Sequence, residues 1–407
     1  MFGLRGFEMR KQKKILAALL AAGLLLAGCG SGNGEEEQDS SQEAQTTEET
    51  PTPQEEPAEE ETSGENVEED SEDQEEKVEI SIPEQEGLVA DYTTVEGLTL
   101  EAGTRFAVVV TNTESGYWKA VREGISQAVD DLNEMLGYEG SDKIQFIYDA
   151  PKDETGVNEQ VDILDSVLTE AALAGKPYVL CLAAVDMSSC EAQLETASMN
   201  QIPVIILDSG VESDLVNASC VTDNYGAGQE AAKRLCEQIG DNGEIAVAAH
   251  TSLSATSQQR VQGFTDEITA NHPNVSLMQV SYEPSGEEEL SLEEQIRQVL
   301  DTYPNLKGYF ATNEEVSEQL LSILEDYQDR QIKMVGFDVG KDQIDAIREG
   351  REAGVVCQNP YGMGYATVVA GARALMNLEN SAVINTGYQW IDQSTIDLEE
   401  NQKYIYE

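Results

Sequence analysis

Four planar polar side chains stand directly after apolar, strand-like runs: Asp208 after "VIIL", Asn313 after "GYFAT", Asp338 after "MVGF" and Gln358 after "GVVC". A fifth such group, Arg260, lies on the helix expected after "EIAVAAH". Carboxylates, amides and guanidinium groups each make two hydrogen bonds in one plane. Neighbouring hydroxyls on a sugar ring offer a matching pair. Tyr117 and Trp118 open the helix expected after the first strand, and an aromatic face covers the apolar C–H face of such a ring. Taken singly, each polar residue also suits a cap or turn at a strand end, and Trp118 suits the core side of its helix. Five groups at equivalent places along the chain argue for a ligand.

Other chemistries find less support. The chain has no G-x-S-x-G, H-E-x-x-H or G-x-x-x-x-G-K-[ST] motif, and nothing singles out a pair of carboxylates for acid–base work. His250 and His272 are the two histidines, and no C-x-x-C occurs. A metal site is therefore not expected, nor is a cofactor. Cys181, Cys190, Cys220, Cys236 and Cys357 are scattered through apolar runs and read as buried, reduced cysteines. The run Gly226-Ala227-Gly228-Gln229-Glu230-Ala231 matches G-x-G-x-x-A, but Asp223, Asn224 and Tyr225 separate it from its strand. It reads as a small-residue helix start packed on a sheet, not as a phosphate site.

The elements that must carry these groups alternate regularly. "RFAVVVTN", "KIQFIYDA", "YVLCLAAV" and "PVIILDS" read as strands, with helices from Gly116, from Gly156 and near Cys190 between them. In the first helix Trp118, Val121, Ile125, Val129, Leu132 and Leu136 recur three or four apart, on one face. The pattern restarts at "ASCVTDN", followed by a helix from Gly226. "EIAVAAH" then precedes a helix through Arg260, and "SLMQVSYE" a helix from Leu290. "LKGYFATN" and "QIKMVGFDV" precede helices from Glu314 and Lys341. Repeated β-α units imply parallel sheets covered on both faces. Two comparable runs imply two lobes, whose strand ends can line a single cleft.

From about Arg105 onward the chain resembles the type I periplasmic sugar-binding proteins, the ribose/galactose branch of ABC-transporter solute-binding proteins. "VVVTNTESGYWKAVREGI", "IPVIILDS", "VTDNYGAGQEAA", "QQRVQGF", "GYFATNEE", "MVGFD" and "VVCQNPYGMG" follow one another in that family's order. The resemblance implies an α/β fold of two doubly wound parallel-sheet lobes, joined by a hinge that the chain crosses three times. Crossings are expected near Thr222–Asn224, Gln358–Pro360 and Thr386–Gly387. The N-terminal lobe would comprise residues 104–222 and 358–385, the C-terminal lobe residues 223–357 and 386–407. The resemblance further implies that Tyr117 and Trp118 enclose the ligand, while Asp208, Arg260, Asn313, Asp338 and Gln358 bond its hydroxyls. It places two more residues at the site, as departures: Ser115 where the family usually has Asn, and Ser209 where it often has Arg. A phenylalanine expected near Glu283 is not evident. The ligand's identity is thus open among sugars, nucleosides and small diols.

The N-terminal segment points to a location. "MRKQKKILAALLAAGLLLAGC" has a basic start and an apolar run from Ile15 to Leu26. That run is too short to cross a hydrocarbon core of ~30 Å as a helix rising ~1.5 Å per residue. It reads as a secretory signal, and Leu26-Ala27-Gly28-Cys29 resembles the lipobox of bacterial lipoproteins. That resemblance implies removal of residues 1–28 and acylation of Cys29, which would anchor the chain to the outer face of the cell membrane without spanning it. Residues 29–76 carry many Asp and Glu but no Lys or Arg, and few aliphatics. Such composition reads as a disordered acidic linker; residues 77–103 form a transitional stretch. The formal charge of −54 over 407 residues disfavours a nucleic-acid partner. The expected partners are a small ligand, read as a monosaccharide, and an ABC permease. The function expected is capture of a sugar by hinge closure and its delivery to the importer. The alternatives are a sensor reporting to a membrane kinase or chemoreceptor, a binder of a nucleoside or diol signal, and, with least support, an enzyme.

Overall fold

A computed structural model describes residues 90–284 and 289–406. The segments read as signal, lipobox Cys29 and acidic linker lie outside the described residues, as does the first part of the transitional stretch. Within the described chain, strand and helix alternate from the start. Strand β1 (Arg105–Val109) leads into α1 (Gly116–Leu136), β2 (Gln145–Asp149) into α2 (Val157–Ala174), and β3 (Tyr178–Leu182) into α3 (Glu191–Met199). Strands β4 (Val204–Leu207) and β5 (Ala218–Val221) follow, then α4 (Asn224–Ile239). The second series runs β6 (Gly243–Ala249), α5 (Ala255–Asn271), β7 (Val275–Tyr282), α6 (Leu292–Thr302), β8 (Leu306–Ala311), α7 (Glu314–Leu324). It continues with β9 (Lys333–Phe337), α8 (Lys341–Glu349), β10 (Gly354–Gln358), α9 (Pro360–Leu375), β11 (Val383–Asn385) and β12 (Tyr388–Asp392).

These strands form two six-stranded sheets, ordered β11-β5-β4-β3-β1-β2 and β12-β10-β9-β8-β6-β7. Every pairing in the first is parallel, and in the second only β10–β12 is antiparallel. The expected two-lobed α/β architecture is therefore present. The chain passes between the sheets three times: after β5, after β10 and after β11.

Alternate residues of each central strand feed opposite faces, as a pleated strand requires. In the first sheet Phe106, Val108, Val179 and Cys181 join one apolar layer. Their neighbours Ala107, Val109, Leu180 and Leu182 join the other. The second sheet divides likewise, Ile245 and Val247 to one side, Ala246 and Ala248 to the other. Both faces are buried, which explains why the strands read as continuous apolar runs. Residues 90–103, unassigned from sequence, lie along the first of these layers: Val95, Leu98 and Leu100 are buried in it, and Tyr138 Oη donates to the carbonyl of Leu100.

Reciprocal glycines let one helix pair in each lobe touch backbone to backbone. A Cβ on Gly124 of α1 would stand 2.0 Å from the carbonyl oxygen of Tyr361 in α9, and one on Gly364 of α9 would stand 2.1 Å from that of Val121. In the other lobe Gly228 of α4 meets the Arg260 carbonyl at 2.2 Å, and Gly263 of α5 that of Tyr225 at 2.1 Å. Only glycine fits such an approach. The G-x-G-x-x-A run packs Ala227 and Ala231 on the second sheet, as its sequence suggested, and its second glycine on α5, while Asp223 caps the helix by accepting from Gly226 N at 2.9 Å.

Candidate functional site

The C-terminal ends of the two sheets face each other across a cleft that encloses about 510 Å³ of space not filled by atoms, part of it open to solvent. All nine of the ligand residues named from sequence line it: Ser115, Tyr117, Trp118, Asp208, Ser209, Arg260, Asn313, Asp338 and Gln358.

Asp208 follows β4 of the first sheet, and Asp338 follows β9 of the second. Both adopt left-handed backbone, φ 57° and 62°, a conformation that costs a non-glycine residue free energy and persists where the surroundings impose it. Both are buried. Tyr117 Oη donates to Asp208 Oδ1 at 2.6 Å, and Gln358 Nε2 donates to both oxygens of Asp338, at 3.1 and 3.2 Å. Desolvation raises both carboxyls; Asp338 is pushed up to about 7, opposed by the attraction of Arg260.

Arg260 is clamped. Its Nε donates to Asn224 Oδ1 at 2.8 Å and its Nη1 to the Thr312 carbonyl at 2.7 Å, while the guanidinium lies 3.7 Å over the Phe337 ring. The fork is thereby fixed with its remaining donors unspent. Tyr117 and Trp118 meet edge-to-face, centroids 5.1 Å apart at 85°, and both are nearly fully buried. Trp118 also belongs to the first lobe's apolar layer, so its side chain serves core and cleft together. Ser115 and Asn313 each cap a helix, accepting from Trp118 N at 3.3 Å and Val316 N at 3.0 Å. The capping role and a place on the cleft wall coexist in both.

Several lining residues escaped the sequence reading. His250, at the end of β6, obeys the same strand-end rule. Its Nδ1 lies 2.8 Å from Thr312 Oγ1 and its Nε2 3.1 Å from Thr256 Oγ1, and burial keeps the ring neutral by lowering its pKa well below the usual value. Glu154, Glu314 and Glu315 also line the cleft. Glu154 receives hydrogen bonds from Thr111 Oγ1 at 3.5 Å and Asn313 Nδ2 at 3.3 Å. Tyr406, near the chain end, packs edge-on to Tyr117 at 6.1 Å.

The lobes touch across the cleft. Glu314 Oε2 accepts from Tyr117 N at 3.0 Å, placing a carboxylate from one lobe at the N-terminus of α1 in the other. Asn112 Nδ2 donates to Glu315 Oε1 at 2.6 Å, Met187 N donates to the Leu253 carbonyl at 3.2 Å, and the hydroxyls of Ser209 and Ser254 lie 3.2 Å apart.

Away from the cleft, Cys236, Asp241 and His272 bring donor atoms within 4.8 Å of one another, a grouping their sequence separation hid. Asp241 already holds His272 Nδ1 at 2.6 Å, Glu267 lies 3.6 Å from Nε2, and burial pushes the Cys236 thiol up to about 12. The five described cysteines are all free and buried. Among the described residues, no helix is long and apolar enough to cross a membrane.

Residues 106–379 match the model of the periplasmic binding protein domain. The chain belongs to that family. Among curated relatives, the ribose import binding protein of Haemophilus influenzae is 25% identical over 44% of this chain and 60% of its own length. The D-apiose import binding protein of Paraburkholderia graminis is 21% identical, over 61% and 74% respectively. The chain thus spans about three fifths of the first of these relatives. Among solved structures, a solute-binding protein from Agrobacterium vitis with bound D-fucose superposes with TM-score 0.65 at 25% identity, covering 74% of this periplasmic binding protein chain and 100% of its own. One from Agrobacterium radiobacter in complex with D-arabinose gives TM-score 0.64 at 22% identity, over 75% and 99%. The two-lobed fold is therefore the type I form of the family.

Proposed function

We propose that this protein is a membrane-anchored, extracytoplasmic solute-binding lipoprotein that captures a small sugar by closing its lobes and delivers it to an ABC importer. The observation that carries the reading is the pair of buried aspartates, Asp208 and Asp338, held in left-handed backbone at corresponding strand ends of the two sheets. Between them stand the clamped Arg260, Gln358 and the Tyr117–Trp118 pair. Planar double-bonding groups with an aromatic wall suit a ring of hydroxyls. Since each lobe supplies part of the set, a ligand binds best when the lobes are shut, and so shifts the population toward closure. Relatives named for ribose and D-apiose import support the sugar and the importer. The Leu26–Cys29 sequence supports the anchor.

A thermal-shift screen of the full chain against pentoses, hexoses, disaccharides and nucleosides tests this. A ligand at 100 times its dissociation constant should stabilise by about 2.7 kcal/mol. A sugar whose shift survives both Trp118→Ala and Asp338→Ala unchanged would place the site elsewhere. A screen in which no sugar raises the melting temperature would refute the sugar reading.

A further inference from the structure

The cleft is lopsided in charge. Five carboxylates line it, Glu154, Asp208, Glu314, Glu315 and Asp338, against one guanidinium, Arg260. None of these carboxylates takes part in an ion pair with Lys or Arg among the described residues. Arg260 has two of its nitrogens committed to Asn224 and Thr312. His250 is neutral, and Ser209, beside Asp208, brings a hydroxyl without charge.

The acids differ in what they already do. Glu314 caps α1 across the cleft and Glu315 accepts from Asn112. Asp208 and Asp338 are met by Tyr117 and Gln358. Glu154 is the least compensated: its hydrogen bonds, from Thr111 and Asn313, are neutral and long at 3.5 and 3.3 Å, and Trp118 adds another neutral one. Burial raises its carboxyl strongly, and the charges of Glu315 and Asp208 raise it further. A second observation points the same way. Gln358 is 1% exposed, lines the cleft and has no hydrogen-bond partner for its Oε1. An orphaned buried acceptor calls for a donor from whatever fills the site. The cleft thus asks its occupant for positive charge and N–H or O–H donors together.

We propose that the ligand is a cationic sugar or polyol, one carrying an ammonium group, and that Glu154 receives this group with Asp208 and Glu315 beside it. The proposal rests on the reading of the cleft as a sugar site and adds the charge of the ligand. With no cation beside it, the Glu154 carboxyl keeps its proton to higher pH than usual; an incoming ammonium favours the carboxylate, so an amine binds with release of that proton. A neutral sugar offers no such compensation.

Matched pairs test the idea by titration calorimetry on the full chain at pH 6.5: D-galactosamine with D-galactose, D-glucosamine with D-glucose, and 1-amino-1-deoxy-D-sorbitol with D-sorbitol. Putrescine serves as a cation without hydroxyls. In at least one pair the amine should bind tenfold or more tightly than its neutral partner. Glu154→Gln should shrink that ratio severalfold, with folding checked by its melting curve. The paired titrations on the unaltered protein judge the idea even if the variant does not fold. Equal or tighter binding by the neutral members overturns the charge inference and leaves the sugar reading standing. Binding of putrescine with no binding of any sugar or polyol overturns both, as does a panel in which nothing binds.

Discussion

Asp338→Asn is the perturbation that separates function from stability most cleanly in this cleft. The side chains are nearly isosteric, and asparagine tolerates the φ of 62° that this position requires. What changes is charge. In the folded protein burial lifts the Asp338 carboxyl from 3.8 to about 7. The unfolded chain ionises near the lower value and the folded chain near the upper one. The folded state therefore holds its proton over that interval, and stability falls as pH rises through it, by up to about 1.4 kcal/mol per pH unit. Summed over roughly three units, with the group half ionised at pH 7, the carboxyl costs about 4 kcal/mol of folding stability. Asparagine has no proton to lose, so the variant should be more stable than the parent at pH 7 and similar to it at pH 4. Other carboxyls raised by desolvation, such as Glu154 and Glu352, bend both curves alike, so the difference between the two proteins is the quantity to read. Urea melts at pH 4, 5, 6, 7 and 8 supply it. Affinity should move in the opposite direction. Losing a charge-assisted hydrogen bond costs about 1.5–3 kcal/mol, or roughly 10- to 150-fold in dissociation constant for the best sugar of the screen. A variant less stable than the parent at pH 7, or a difference that does not vary with pH, would refute the reasoning.

Two further outcomes follow from contacts within and between the lobes. Gly124→Ala would set a methyl 2.0 Å from the Tyr361 carbonyl oxygen, so α1 and α9 must part; a loss of about 1–3 kcal/mol is expected in a denaturant melt, and an unchanged midpoint would contradict the close approach. Glu314→Ala removes the carboxylate that accepts from Tyr117 N across the cleft, and small-angle scattering of the ligand-free protein should show a larger radius of gyration, whereas an identical value would mean that this contact does not help hold the lobes shut.

Residues 105–375 show how legible such a fold is. The runs at β1, β3 and β8 are apolar on both faces because helices cover both sides of their sheets, and α1 announces itself through Trp118, Val121, Ile125 and Leu132. Asp208, Asn313, Asp338 and Gln358 stand at strand ends and could be named in advance; His250, at the end of β6, follows the same rule. Residues 90–103 gave no periodic signal, because Val95, Leu98 and Leu100 pack as an irregular strap with no helix or strand of their own. The glycines at 124, 228, 263 and 364 gave none either, since a helical glycine looks the same whether it faces solvent or another backbone.

The linear chain was enough to establish two series of β-α units and the chemistry at their strand ends, because hydrophobic period and terminal polarity are local properties. The charge of the cleft lay beyond it. In a chain of net charge −54 any one glutamate reads as surface, and burial depends on what the opposite lobe brings. The loop after β2 delivers Glu154, and the start of α7 delivers Glu314 and Glu315, from residues more than 150 positions apart in the chain. Only the folding of both sheets and their approach bring these acids to one cleft, where their charges act on each other.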